Sequence, residues 1–468
     1  MVTTLHPKTP RTIKLEFAAE SVTSFGGLVL AERAAARLRL WNTLGGLMPA
    51  RRGPYDWPGA LKALVMGLLS GAQGTFAAQA LRQDAALLGL LSLRGAPEEA
   101  TVWRMLAQLG RPGEQAALAQ AQAILARRTL EKMERSSLLR DGFVPVFADG
   151  TLLEGSARRE GTKWLGEKGA GLMWSVVAVG PLAVAQRLAG EGEGESTCVR
   201  ALLGEVDRRV LGPLRLRKRA LVLMDSLHGD EPTLAQLEAA GLHYIVGAGK
   251  LAASAQTLAD LPEDQWEATP ARARLGWAES GVCACWLQCG AWQTRRLLVG
   301  RRWRREGEMI WNYAGVLSDL RAKDLRAVMA ARGLGFAQAV WHFYDAKAGM
   351  ETQFKDALSD LGLHHPPCRK LSGNRGFYAL GALAWTLGAA VDALGGGDEV
   401  RGSQKRLDGR ARKRAMPRRM RLWRLRRELF TLPGRIARHG HELRVRILGA
   451  SEATRQLFER FWGQLCRC

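Results

Sequence analysis

The stretch Val144 to Thr151, VPVFADGT, decides how this chain folds. A short apolar run with β-branched and aromatic side chains, closed by Asp-Gly, reads as a buried strand that stops on a carboxylate. The segments downstream of it set the topology. After Val144 to Ala148, strands are expected at Leu172 to Val179 and Val184 to Leu188. Then come a helix at Thr197 to Val210, a strand at Ala220 to Met224, a helix at Pro232 to Ala240 and a strand at Tyr244 to Val246. Three strands in a row followed by strand-helix-strand crossovers make a mixed sheet. That order sets Asp149 on the first strand beside Asp225, which ends the fourth in ALVLMDS, Ala220 to Ser226. A carboxylate at the end of a buried strand is costly to desolvate, so it caps a loop or holds a cation. Both readings stay open here, because Asp149-Gly150 also suits a turn and Asp225 a helix cap.

A second segment, Tyr344 to Lys355, YDAKAGMETQFK, supplies polar side chains for such a sheet. At helical spacing Tyr344, Lys347, Glu351 and Lys355 share one face, while Phe343, Met350, Phe354, Ala357 and Leu361 form an apolar face. Taken alone, this is also the pattern of a solvated, salt-bridged stripe.

Together, Asp149, Asp225 and Glu351 resemble the acidic triad of bacterial insertion-sequence transposases of the DDE type, whose core is RNase H-like. In the branch with a β-rich insertion before the last glutamate, the motif reads Tyr, two residues, Arg, three residues, Glu, six residues, Lys. Tyr344, Lys347 and Glu351 keep that spacing. Lys347 stands where arginine is usual and Leu358 where the final lysine is expected, with Lys355 one turn earlier. A lysine lacks arginine's bidentate fork, so these departures bear on phosphate clamping more than on metal binding. The segment from Leu361 to Leu387 is also similar to the family, and the likeness runs from about Phe143 onward, more weakly over the helical start.

The resemblance implies an α/β fold with an RNase H-like catalytic core interrupted by a β-rich insertion, an N-terminal helical domain and a basic C-terminal tail. It implies a DNA transposase that cleaves element ends and joins the freed 3′-hydroxyl to target DNA by a cut-and-paste route. Asp149, Asp225 and Glu351 would be its catalytic metal ligands, with Mg²⁺ or Mn²⁺ as cofactor. Tyr344, Lys347 and Lys355 would hold DNA. The implied partners are double-stranded DNA, as terminal inverted repeats and target, and a second copy of the chain in a synaptic homodimer. Two other readings share these features: a metal-dependent nuclease without strand transfer, and a catalytically inactive DNA-binding descendant.

Phosphodiester cleavage by two divalent ions calls for hard oxygen ligands, not a cysteine or histidine cluster. The seven cysteines agree, since neither Cys283/Cys285/Cys289 nor Cys466/Cys468 has a zinc-ribbon spacing. We expect reduced thiols, and a surface loop at His364 and His365 before two prolines.

A formal net charge of +23 over 468 residues is the balance of a protein that neutralises a polyanion. Gly169 to Ala185 contains Pro181 and reads as strand, and the apolar run Phe377 to Val391 falls short of the roughly 20 residues that span a bilayer. The start has no apolar leader, so a cytoplasmic, nucleoid-associated protein is expected, with no membrane partner.

The expected organisation is a helical domain at 1–139 for DNA-end binding or dimerisation, core at 140–250, a β-rich insertion at 251–335, core again at 336–397 and a basic region at 398–468. In the first, Trp57-Pro58-Gly59 starts a helix, Thr75 caps another running to Leu91, Thr101 caps a short one, and Pro112 opens a long alanine-rich helix. Gly190 to Glu195, GEGEGE, reads as a flexible, solvated acidic turn. An insertion must fill the 126 positions separating Asp225 from Glu351. Its alternation at Val282 to Leu287 and its runs at Thr294 to Gly300 and Met309 to Val316 predict strands. The link GRRWRREGE sets Arg301, Arg302, Arg304 and Arg305 around Trp303, a composition for gripping DNA or for a solvated hairpin tip. From Arg401 to Arg446, 17 lysines and arginines face three acidic residues, which supports nucleic acid without specifying DNA.

Overall fold

A computed structural model describes residues 21–396 and 420–467, apart from 52, 156–157, 165–168, 191, 250, 271–274, 291, 349–353, 355 and 441. Eight strands form the backbone of its main sheet: β1 Val144–Glu154, β2 Ala170–Val179, β3 Leu182–Leu188, β4 Ala220–Met224, β5 His243–Gly247, β6 Glu279–Leu287, β7 Arg296–Arg304 and β8 Asn312–Ser318. Their order is β3-β2-β1-β4-β5-β8-β7-β6, and two short strands, Lys163–Trp164 and Glu267–Thr269, border β2 and β6. β1, β2 and β3 are antiparallel neighbours, whereas β4 and β5 run parallel to β1. This is the expected RNase H-like arrangement, and the continuous apolar runs of β1 and β4 follow from burial on both faces. Gly180, at φ 57°, turns β2 into β3 in a tight hairpin that a side chain would strain.

The insertion continues this sheet. β8 pairs antiparallel with β5, so the inserted strands extend the core edge. The segment read as a link from Gly300 is therefore strand as far as Arg304, and its first two arginines are buried.

One continuous apolar cluster joins the sheet to the helices. At its centre lies the helix Leu371–Gly395, packed against β3 and against the helices Trp57–Ser70, Glu99–Leu109, Pro112–Lys132 and Glu452–Cys466. The Glu99–Leu109 helix comes so close that a β-carbon on Gly376 would meet the Leu106 carbonyl. The central helix is longer than the apolar run that predicts it, and among the described residues it is the one helix long and apolar enough to cross a membrane; 89% of its apolar window is buried in this core.

Local signals act largely as expected. Asp56 caps the Trp57–Ser70 helix through the Gly59 amide, and Pro112 opens its helix. Thr101 caps nothing: its helix begins at Glu99. The stretch from Thr75 divides into two helices, because Asp84 caps a new one at Ala85 by accepting from the Leu87 amide. Residues 420–467 are folded onto the body, with Gly434–His439 pairing with Val22–Thr23 on one side and Glu442–Ile447 on the other. Arg426 ties the same region to the body, donating to the Leu69 and Asp360 carbonyls.

Candidate active site

The sheet register sets two aspartates at one level. β1 and β4 pair up to Phe147 opposite Leu223, and Asp149 and Asp225 each stand two residues further on. Asp149 remains within β1, where its Oδ1 accepts from the Gly150 amide at 3.0 Å. Asp225 follows the last residue of β4 and caps the turn Ser226–His228, accepting from the Leu227 amide at 2.9 Å. Its carboxylate is 41% exposed, so it caps and faces solvent together.

Tyr344, at the end of the helix Phe336–Tyr344, and Lys347, in the turn that follows it, reach the same place. Burial pushes the Tyr344 hydroxyl up to about 12, reinforced by Asp225 and Asp149. The Lys347 ammonium donates to Asp149 Oδ2 at 3.0 Å, with both groups largely buried. The α-helix ends at Tyr344 and tightens into a 3₁₀ turn at Asp345–Lys347, and Ala348 and Phe354 are again helical. Phe343, Phe354, Ala357 and Leu361 are buried as the apolar face requires. Glu351 and Lys355, and Met350 of the apolar set, lie outside the described residues.

Two further residues join the aspartates. Glu195, read as part of a solvated turn, is the first residue of the helix Glu195–Val206, with its side chain only 14% exposed. Asp230 holds that helix start: it accepts from the Ser196 hydroxyl and from the Thr233 amide of the helix Glu231–Ala240. Glu193 is also engaged, with Arg187 and Arg375; burial opposes its charge, but the Gly190 amide and Arg187 hold it below the usual carboxylate range. His228, fully buried, points its Nε2 between Asp225 Oδ1 at 3.5 Å and Glu195 Oε1 at 3.6 Å. Burial lowers its pKa against the pull of Asp225 and Asp149. Its one sequence signal is the position three residues after the strand-end aspartate.

The arginines around Trp303 divide. Arg301 pairs with Asp345 through two bonds of 3.0 Å and lies 3.9 Å from the Trp341 ring centroid. Arg302 pairs with Glu263 between Trp266 and Trp311. Arg304 pairs with the exposed Glu279, Trp303 stacks on Trp277 at 4.9 Å, and Arg305 is exposed. The last three stand toward solvent; the first two hold the fold together. His364 and His365 are exposed, and the described cysteines are free.

The donor set suits a divalent cation: carboxylates converge on one point, and a buried imidazole among them has no hydrogen-bond partner among the described residues. A protein-family profile described as a transposase DDE domain matches residues 145–387. No curated protein matches the sequence. Among solved structures, the chain is similar to a piggyBac transposase in a synaptic complex with hairpin DNA, at 11% identity and a TM-score of 0.39 over 86% of this chain and 78% of that one.

Proposed function

Because this chain belongs to the transposase DDE domain family, we propose that it cleaves DNA at the ends of a mobile element and joins the freed 3′-hydroxyl to target DNA. The observation that carries this reading is that Asp149 and Asp225 each stand two residues beyond the last residue pair of neighbouring parallel strands, near Tyr344 and Lys347. We assign Asp149, Asp225 and Glu351 as the ligands of Mg²⁺, with Mn²⁺ as substitute. Such ions, when bound, activate the attacking oxygen and stabilise the leaving one.

The protein side chains position the substrate. Lys347, now held on Asp149, is a cation at the edge of the carboxylates and suits a scissile phosphate; Tyr344 stays protonated and able to donate a hydrogen bond. Trp303, Arg304 and Arg305, with Lys355, are the further DNA contacts. The net charge of +23 supports double-stranded DNA as the partner, both element ends and target. We assign residues 1–139 to end binding or to homodimer contacts in the synaptic complex, and the basic region 398–468 to phosphate contact. The cut-and-paste route and a cytoplasmic, nucleoid-associated site of action complete the proposal.

The test is cleavage of a labelled element end by Asp149→Ala, Asp225→Ala and Glu351→Ala proteins. Each should lose cleavage while keeping end binding, and Ca²⁺ in place of Mg²⁺ should permit binding with little chemistry. Wild-type cleavage by any one variant removes that residue from the site; cleavage in a chelator removes the metal. Cleavage without joining would favour a nuclease.

A further inference from the structure

We propose that Glu195 and His228 belong to the same divalent-cation site as Asp149, adding a carboxylate and an imidazole to it. The proposal rests on the transposase reading above and extends it to residues outside the family triad.

One ligand atom from each of Asp149, Glu195 and His228 lies within 4.8 Å of the others. Acidic groups gather on many surfaces, so the histidine carries the argument. His228 is fully buried, and neither ring nitrogen has a hydrogen-bond partner among the described residues. Leaving two imidazole nitrogens dry and unpaired is costly unless something takes the lone pair. The gaps from Nε2, 3.5 Å to Asp225 and 3.6 Å to Glu195, are too long for hydrogen bonds. They suit a shared ion. A six-coordinate cation with bonds of about 2.1 Å sets neighbouring donors about 3 Å apart and opposite donors about 4.2 Å apart. The two spacings from Nε2 fall in that range, and the 4.8 Å bound on the set of three exceeds it by little.

The surroundings hold this arrangement open. The Glu195 carboxylate lies against Gly150, next to Asp149, where a β-carbon on Gly150 would collide with it. Asp230 fixes the start of the Glu195 helix through Ser196, and Gln236 ties the same two helices by donating to the Arg200 carbonyl at 2.9 Å. An imidazole nitrogen suits a transition ion better than Mg²⁺, so the site prefers Mn²⁺.

The experiment titrates the full chain with Mn²⁺, following the free ion by electron paramagnetic resonance, with Mg²⁺ as competitor. Pulsed measurements on the bound ion then look for ¹⁴N coupling. We expect that coupling in the wild type and its loss in His228→Gln, together with a weaker preference for Mn²⁺ over Mg²⁺. Glu195→Gln, which keeps the side-chain volume, should weaken Mn²⁺ binding by about tenfold or more. The wild-type spectrum needs no substitution, so the test stands even where His228→Gln folds poorly. Absence of ¹⁴N coupling in the wild type, or a Glu195→Gln affinity within about twofold of wild type, overturns the proposal. If the wild type binds no Mn²⁺, the transposase reading falls with it. If Asp149→Asn loses the ion while Glu195→Gln keeps it, only the present inference falls.

Discussion

Replacing Arg301 with alanine should destabilise the protein without removing a DNA contact. The guanidinium side chain is 9% exposed, donates two 3.0 Å bonds to Asp345 and lies 3.9 Å from the Trp341 centroid. Hydrogen bonds to a charged partner contribute about 1.5–3 kcal/mol, and a desolvated cation over an indole about 1–2 kcal/mol. Asp345 is 40% exposed and regains water once its partner is gone, which discounts the first figure. The net cost is about 2–4 kcal/mol. Asp345 also opens the turn that carries Lys347, so cleavage should fall along with stability. The assay is thermal melting of wild type, Arg301→Ala and Arg305→Ala, with DNA-end binding measured across a salt series. Arg301→Ala should melt several degrees lower with an unchanged salt slope. Arg305→Ala should melt like wild type, and its slope should shrink by about 0.9 for the lost phosphate contact. If Arg301→Ala melts normally and loses salt dependence, Arg301 is a phosphate ligand and the reasoning is wrong.

Other perturbations separate the remaining roles. Lys347→Arg should keep cleavage and Lys347→Ala should raise its barrier by about 1.5–3 kcal/mol, read as end-cleavage rate; a normal rate for the alanine variant would remove Lys347 from the reaction. Leu358 packs against the core, so Leu358→Lys should lower the melting temperature and add no DNA affinity; unchanged melting would place this side chain in solvent. His243 takes a raised pKa from its 2.8 Å hydrogen bond with Asp319, which outweighs burial. Its contribution is therefore complete below the unfolded value of about 6.5 and is lost as pH rises through the higher folded value. The stability gap between wild type and His243→Gln should shrink from pH 6.5 upward; a gap that widens there would reverse the assignment.

The strand order of the core was legible because its apolar runs are short, bounded and buried on both faces. Asp149 and Asp225 stood out because a carboxylate at the end of such a run is costly. Glu195 was hidden by its composition: a Gly-Glu repeat reads as solvated until Ser196 meets Asp230, 34 positions away. His228 carried no periodic signal at all. The arginines of β7 misled for a related reason. Their charge is plain in the sequence, but Asp345 and Glu263, which neutralise Arg301 and Arg302, lie 44 and 39 positions away in opposite directions. In the segment from Tyr344, the 3₁₀ turn at Asp345–Lys347 is the local detail that a uniform helical spacing does not convey.

The pairing of Gly434–His439 with Val22–Thr23 has a consequence for synthesis. A ribosome delivers the first of these segments roughly 400 residues before the second, and at about 5–20 residues per second the wait is tens of seconds. Throughout that interval the edge at Val22 lacks its partner strand, and the Trp57–Ser70 helix lacks the Arg426 side chain that donates to its last turn. Lys347 likewise reaches Asp149 across 198 positions, so Asp149 waits for this cation. The acidic centre and the seam that closes the body are both completed only after their second halves are translated, not during the synthesis of their first halves: the centre stays unfinished while the 198 positions between Asp149 and Lys347 are added.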